Sequence, residues 1–204
     1  MRKTILITGA SSGLGEGMAR EYAKRGHNLA LCARRLENLE NLKSECESLN
    51  AATRVEIRSL DVNDHDAVFS VFHEFEARFG KIDRIVVNAG MGKGASVGTG
   101  YFEANKQTAM TNFVAALAQC EAAMEIFRKQ NDGHLVTKSS ISAVRGFRRA
   151  LNVYAATKAG LTSLTEGIRI DVMKTPIKVT TVHPGFIRTD INAKVKMLKI
   201  VLCY

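Results

Sequence analysis

Short apolar runs alternate with longer stretches of helical periodicity along nearly the whole chain. Thr4-Ile5-Leu6-Ile7 is brief and rich in β-formers, as a strand is. From Gly13 to Arg25, Leu14, Met18 and Tyr22 recur at i, i+4 and i+8 on one helical face. Gly26 follows where a helix-ending glycine is expected. Asn28 to Cys32 reads as a second strand, Leu36 to Leu49 as a second helix, and Val55 to Leu60 as a third strand. A helix from about Asp64 to Phe79 stops at Gly80. Ile85-Val86-Val87 is wholly apolar, as in a parallel strand covered on both faces. A loop with Gly90, Gly92, Gly94, Gly98 and Gly100 leads into one long predicted helix, Phe102 to Gln130. Its stripe is Phe113, Ala116, Leu117, Cys120, Met124 and Phe127. His134 to Thr137, a helix from Tyr154 to Met173, and Ile177 to Val182 complete the series.

Strands separated by helices pair in parallel through right-handed crossovers. The pattern therefore predicts an α/β fold with a doubly wound parallel sheet of about six strands. Without a repeat, a low-complexity tract or a linker, residues 1–204 read as a single domain.

Composition changes this picture little. Hydrophobic residues make up 46% and charged residues 24%, ordinary for a globular chain. No apolar run is long enough to cross a bilayer, and the one after Met1-Arg2-Lys3 is too short for a secretory signal. Cys32, Cys46, Cys120 and Cys203 lack metal-ligand spacing, so no metal is expected. Free thiols in a reducing compartment follow, with cytoplasm as the default. The net charge of +9 includes Lys194, Lys196 and Lys199 near the end of the chain. No nucleic-acid motif accompanies it and aromatics are only 6%, so solvated lysines plus a site for an anionic ligand account for it better than nucleic acid does.

Thr8-Gly9-Ala10-Ser11-Ser12-Gly13-Leu14-Gly15 joins the first strand to the first helix. Its glycines permit a tight turn and close approach of backbone to ligand, and the helix N-terminus offers N–H groups to a pyrophosphate. At the end of the second strand stands Cys32-Ala33-Arg34-Arg35, where an acidic residue would select a free ribose 2′-hydroxyl. A guanidinium suits a 2′-phosphate, with Arg34 ahead of Arg35, although a solvated arginine pair at a helix start is the alternative. Asp61-Val62 follows the third strand, where Asp61 either faces a ligand or caps the next helix. Asn88-Ala89-Gly90 follows the fourth strand and, taken alone, suits a plain turn. In Tyr154-Ala155-Ala156-Thr157-Lys158, the phenol and the ammonium share a helix face, and a nearby ammonium favours the phenolate.

TGxxxGxG, NAG and YxxxK, in this order and on these elements, resemble the short-chain dehydrogenase/reductase family over residues 4 to 190. The resemblance implies a Rossmann-type domain and NADP(H), held by Gly9, Ser11, Ser12, Gly13, Leu14, Gly15, Arg34, Arg35, Asp61, Val62, Asn88, Ala89 and Gly90. Tyr154 and Lys158 join this set, as do Pro184, Gly185, Ile187 and Thr189 of the PGxxxT segment. It implies that Tyr154 is the general acid/base, that Ser140 orients the substrate oxygen, and that Lys158 and Asn112 tune the tyrosine and relay the proton. The interval from Ser140 to Tyr154 is one residue longer than the commonest form, which leaves Ser142 as the fallback. A small carbonyl or alcohol is the implied substrate, reduction the implied direction, and a homo-oligomer through the two long helices the implied assembly. The alternative is an NADP(H)-binding sensor or interaction protein without turnover.

Three features depart from the family. The chain ends at Tyr204, soon after PGFIRTD, and is expected to lack the family's usual C-terminal region. Lys138 replaces an apolar strand residue, so it is expected either to be exposed or to meet a carboxylate. Arg148-Arg149 falls in the loop beside the cleft, where a solvated role is favoured over an anionic substrate.

Overall fold

A computed structural model of the chain describes residues 2–185, apart from the side chain of Arg149. The strands are β1 (Thr4–Thr8), β2 (Asn28–Ala33), β3 (Val55–Ser59), β4 (Arg84–Val87), β5 (His134–Lys138) and β6 (Lys178–Val182). They form one parallel sheet, as the alternation predicts, and its strand order is β3-β2-β1-β4-β5-β6. The order reverses between β1 and β4. In open α/β sheets a crevice opens at the carboxyl ends of the strands flanking such a reversal.

Both faces are covered, so alternate strand residues enter different cores. Ile5, Ile7, Leu29, Leu31 and Val86 pack with Ala19 and Ala23 of α1 (Gly13–Lys24) and Leu39, Leu42 and Cys46 of α2 (Leu36–Leu49). Leu6, Ala30, Ile85, Val87 and Leu135 face the other way. There they meet α3 (His65–Phe79), α5 (Ala115–Gln130) and α6 (Asn152–Asp171) through Phe72, Phe75, Phe127 and Leu161. The Asp64 carboxylate accepts from Ala67 N at 3.0 Å and caps α3. Asp61 is thus not the cap; its carboxylate instead closes a small turn by accepting from Asn63 N.

The long helix predicted over Phe102–Gln130 is interrupted. α4 (Phe102–Ala109) passes into a π-helical turn at Met110–Val114 before α5 begins. The extra residue in that turn accompanies the burial of Thr111 and Asn112, and single π turns often mark functional positions. An apolar stripe is blind to such an insertion, because the residues on either side keep helical spacing.

One hydroxyl ties the two central strands at their carboxyl ends. Thr8 is fully buried, and its Oγ accepts from Asn88 N (3.0 Å) and Ala89 N (3.1 Å) while donating to the Val86 carbonyl (3.4 Å). Thr8→Val keeps the shape and leaves two buried N–H groups without an acceptor. Urea unfolding of the free protein should show a loss of about 2 kcal/mol or more; an unchanged midpoint would contradict this role.

Candidate active site

The turn after β1 is shaped by close backbone approach. Gly9 has φ +63°, and a Cβ there would lie 2.9 Å from Ala89 Cα. A Cβ on Gly15 would come within 2.7 Å of Asn88 Nδ2. Asn88 Nδ2 donates to the carbonyls of Thr8 (2.8 Å) and Gly9 (3.2 Å), so this asparagine braces the turn beyond what a plain loop requires. Its Oδ1 is buried and has no partner among the described residues. Ser12 precedes α1 in extended conformation and makes no side-chain cap, which leaves the first-turn N–H groups available to an anion.

A cleft of about 560 Å³ runs along the carboxyl ends of the strands. Gly9, Ser11, Ser12, Gly13 and Leu14 line its middle; Arg34, Arg35, Asp61 and Val62 line the β2–β3 side. Asn88, Ala89 and Gly90 follow across β4, and Ser140, Tyr154, Pro184 and Gly185 close the β5–β6 side. Gly15 and Lys158 lie behind the lining, where Gly15 permits the packing of the turn on Asn88. Ile187 and Thr189 lie outside the described residues.

At the β2 end both arginines are exposed, and their side chains behave differently. The Arg35 guanidinium donates to Ser11 Oγ (3.2 Å) and to the Ser11 carbonyl (3.4 Å), so it folds over the phosphate turn. Arg34 lines the cleft with no side-chain partner among the described residues, though its carbonyl accepts from Ser59 Oγ. The structure therefore brings Arg35, ranked second from sequence, closer to the turn.

At the other end the helix face of α6 meets the end of β5. Lys158 is 2% exposed, and its Nζ donates to the Lys138 carbonyl at 2.9 Å, 6.0 Å from the centre of the Tyr154 ring. Ser139 turns to α6, its hydroxyl meeting the Lys158 carbonyl and Thr162 Oγ1, whereas Ser140 faces the cleft. Ser140 Oγ accepts from Ser142 N (3.1 Å), and Ser142 itself is buried away from the lining. Pro184 is fastened beside them, its carbonyl accepting from Ile141 N at 3.2 Å. Asn112, fully buried in the π turn, bonds both sides of Met91, Oδ1 accepting from Met91 N and Nδ2 donating to Met91 O, both at 2.8 Å, and Nδ2 also reaches Thr157 Oγ1 of α6 at 3.5 Å. It holds the loop after Gly90 against α6.

Burial dominates the electrostatics here. The Tyr154 phenol is pushed up by burial, with the Ser140 side chain drawing it down. Lys158 is pushed down to about 7, by burial first and then by the charge of Lys138. A lysine that so readily gives up its proton does not exert the expected downward pull on Tyr154. Lys138 is neither exposed nor paired with a carboxylate among the described residues, and burial lowers it to about 8. Arg148 is exposed, in keeping with a solvated loop. Met91, Lys93, Gln107 and Thr111 also line the cleft. No motif marked them; they arrive there through the path of the glycine-rich loop and the π turn.

The sequence model of the short chain dehydrogenase family matches residues 3–198. The chain belongs to this family. An uncharacterized oxidoreductase of Mycobacterium tuberculosis is 49% identical over 193 residues, 95% of this chain and 76% of the relative. The NADP-dependent 3-hydroxy acid dehydrogenase of Schizosaccharomyces pombe is 32% identical over 195 residues, 93% of this chain and 73% of that one. Among solved structures, levodione reductase superposes with a TM-score of 0.88 at 28% identity, over 93% of this chain and 73% of the other. The NADPH-dependent 3-quinuclidinone reductase of Rhodotorula rubra gives 0.88 at 26% identity, over 95% and 73%. As a family member the chain is an oxidoreductase with a nucleotide-binding Rossmann-type fold. Among the described residues no helix is long and apolar enough to cross a membrane, and no group of His, Cys, Asp and Glu could hold a metal.

The two depressed lysines make stability depend on pH. Between about pH 7 and 8.5 the unfolded chain, with lysines near 10.5, binds more protons than the folded one, so stability rises with pH. The gain is about 1 kcal/mol per pH unit. Above pH 9 it is opposed by the buried thiols of Cys32, Cys46 and Cys120, which burial raises. Urea unfolding at pH 7.0 and 8.5 should show the rise in the wild type and a smaller one in Lys158→Met. A flat or falling profile in the wild type would contradict it.

Proposed function

We propose that this chain is an NADP(H)-dependent oxidoreductase acting on a small carbonyl or alcohol, with Tyr154 as its general acid/base. The observation that carries the proposal is the continuous cleft from the Arg35–Ser11 contact, past the phosphate turn, to Ser140 and Tyr154. The cradle fits a dinucleotide: Gly9 and Gly15 stand where no side chain fits, Asn88 keeps an unpartnered buried acceptor, and the α1 N-terminus is uncapped by a side chain. Ser11, Ser12, Gly13 and Leu14 would hold the phosphates, Asp61 and Val62 the adenine, and Ala89 and Gly90 the middle of the ligand. Pro184 and Gly185, with Ile187 and Thr189 by family resemblance, would hold the nicotinamide end. Two cationic side chains and no acid directly after β2 support a 2′-phosphate. Both the S. pombe relative and the R. rubra structure carry NADP or NADPH in their names.

Bound NADP(H) supplies or takes up a hydride at the substrate carbon. Tyr154 gives its proton to the carbonyl oxygen, which Ser140 orients with its hydroxyl. Burial raises the phenol further above neutral pH, so the free protein holds the proton that a reduction requires. Lys158, lowered to about 7, can pass a proton toward Tyr154 and regain one. Asn112 is a positioning residue, because its amide bonds Met91 and Thr157 of α6.

Exposed Phe102 on α4, Met110 in the π turn and Ile170 on α6 support pairing of these helices between two copies in a homo-oligomer. Free buried Cys32, Cys46 and Cys120 are in keeping with a reducing compartment such as the cytoplasm.

With NADPH and a panel of ketones and quinones, Tyr154→Phe should lower kcat at least about 100-fold while leaving NADPH affinity intact. Arg35→Ala should weaken NADPH about tenfold and spare NADH. Turnover undiminished in Tyr154→Phe would overturn the catalytic assignment. NADPH binding by a wild type that turns over none of the panel would favour the sensor reading.

A further inference from the structure

Lys138 is a charged cleft residue that family resemblance leaves without a role, and strand geometry says where its side chain starts. In β5, Leu135 enters the core beneath α5 and α6, and Thr137 Oγ1 meets Thr165 Oγ1 of α6 at 3.0 Å. Val136 points the opposite way and packs on the core shared by β1 and α1. Successive strand residues alternate, so Lys138 leaves the sheet on the side of Val136. Val86 pairs with Val136, so Asn88, two residues on, stands beside Lys138 on that same face. Asn88 is the residue bonded to the Thr8 and Gly9 carbonyls. Lys138 thus sets out beside the phosphate turn, on the face opposite the helix that carries Tyr154.

Its charge lacks a counterpart there. The amine lines the cleft, is largely withdrawn from water, and meets no carboxylate among the described residues. Lys158, close enough to feel that charge, is occupied with a backbone carbonyl. The phosphate turn from Gly9 to Gly15 contains no Lys or Arg, and Arg34 and Arg35 stand at the β2 end of the cleft. An anion between the turn and β5 would relieve the repulsion between two buried amines. Two sources of anionic oxygen exist, the cofactor's diphosphate and a substrate carboxylate. The neighbourhood of Asn88, which braces the turn through the Thr8 and Gly9 carbonyls, favours the diphosphate.

We infer that Lys138 binds the diphosphate of the dinucleotide and supplies the cationic contact that the phosphate turn lacks. This rests on the dinucleotide reading above. The cost is borne by the ligand-free protein, which keeps a half-buried amine without a carboxylate partner among the described residues.

The test is calorimetric titration of the full 204-residue chain, as wild type, Lys138→Ile and Lys138→Arg, with NADPH, NADH and adenosine 2′-monophosphate. Lys138→Ile should weaken NADPH and NADH by the same factor, about tenfold, because both carry the diphosphate. It should leave adenosine 2′-monophosphate, which has no 5′-phosphate, unchanged, and Lys138→Arg should stay within about threefold of wild type for all of them. A ligand-free melting temperature of Lys138→Ile at or above wild type would show that the fold is kept. Unchanged dinucleotide affinity in Lys138→Ile would overturn the inference alone, as would a loss equal for adenosine 2′-monophosphate. Unchanged affinity together with a raised KM for an oxo acid, but not for a neutral ketone, would place the amine on the substrate instead. A wild type that binds neither dinucleotide would remove the cofactor reading itself.

Discussion

The site depends on how closely β1 and β4 approach one another where their chains leave the sheet. Thr8 gathers the N–H groups of Asn88 and Ala89, and Asn88 returns two hydrogen bonds to the Thr8 and Gly9 carbonyls. The two loops become one piece only because Gly9 and Gly15 leave room for the Asn88 amide and the Ala89 backbone. The cleft, the open N-terminus of α1 and the path of the glycine-rich loop all follow from that joint. It lies at the reversal of strand order, where the chains must diverge to opposite faces of the sheet.

Around this rigid joint the charges are arranged asymmetrically. At the β2 end, Arg34 and Arg35 are exposed and bear their charge in water at little cost. At the β5 end, Lys158 is buried and Lys138 half-buried, and each is lowered well below the ordinary lysine range. Burial therefore sets the protonation of this end of the cleft more strongly than the pairing of Tyr154 with Lys158 does. The same burial holds Tyr154 protonated, which fits a site that donates a proton. A part of the +9 net charge thus stands in the cleft, while other lysines and arginines sit on solvated surfaces, some of them in ion pairs of small worth.

Much of this was legible in the sequence because it rests on periodicity and on backbone needs. Six apolar runs became six parallel strands, and Gly9 and Gly15 of the turn after β1 stand where a Cβ would clash. What the pattern hid is what depends on one residue's rotation or on long-range packing. The π turn at Met110–Val114 keeps apolar spacing on either side, so its insertion was invisible, although it buries Asn112 against Met91. The preference between Arg34 and Arg35 turns on which side chain meets Ser11, a contact between residues 24 positions apart. Lys138 stood out as a charge in a strand, but its meaning needed the register with β4, which only the assembled sheet supplies.

The central claim is that a dinucleotide lies across the joint between Thr8 and Asn88, and amide hydrogen exchange with and without saturating NADPH tests it most directly. Slowed exchange should concentrate at residues 9–15, 88–91 and 138–140, with α2 and the outer face of α3 unaffected. NADPH that binds without protecting the turn after β1, or that protects a different surface, would contradict the account.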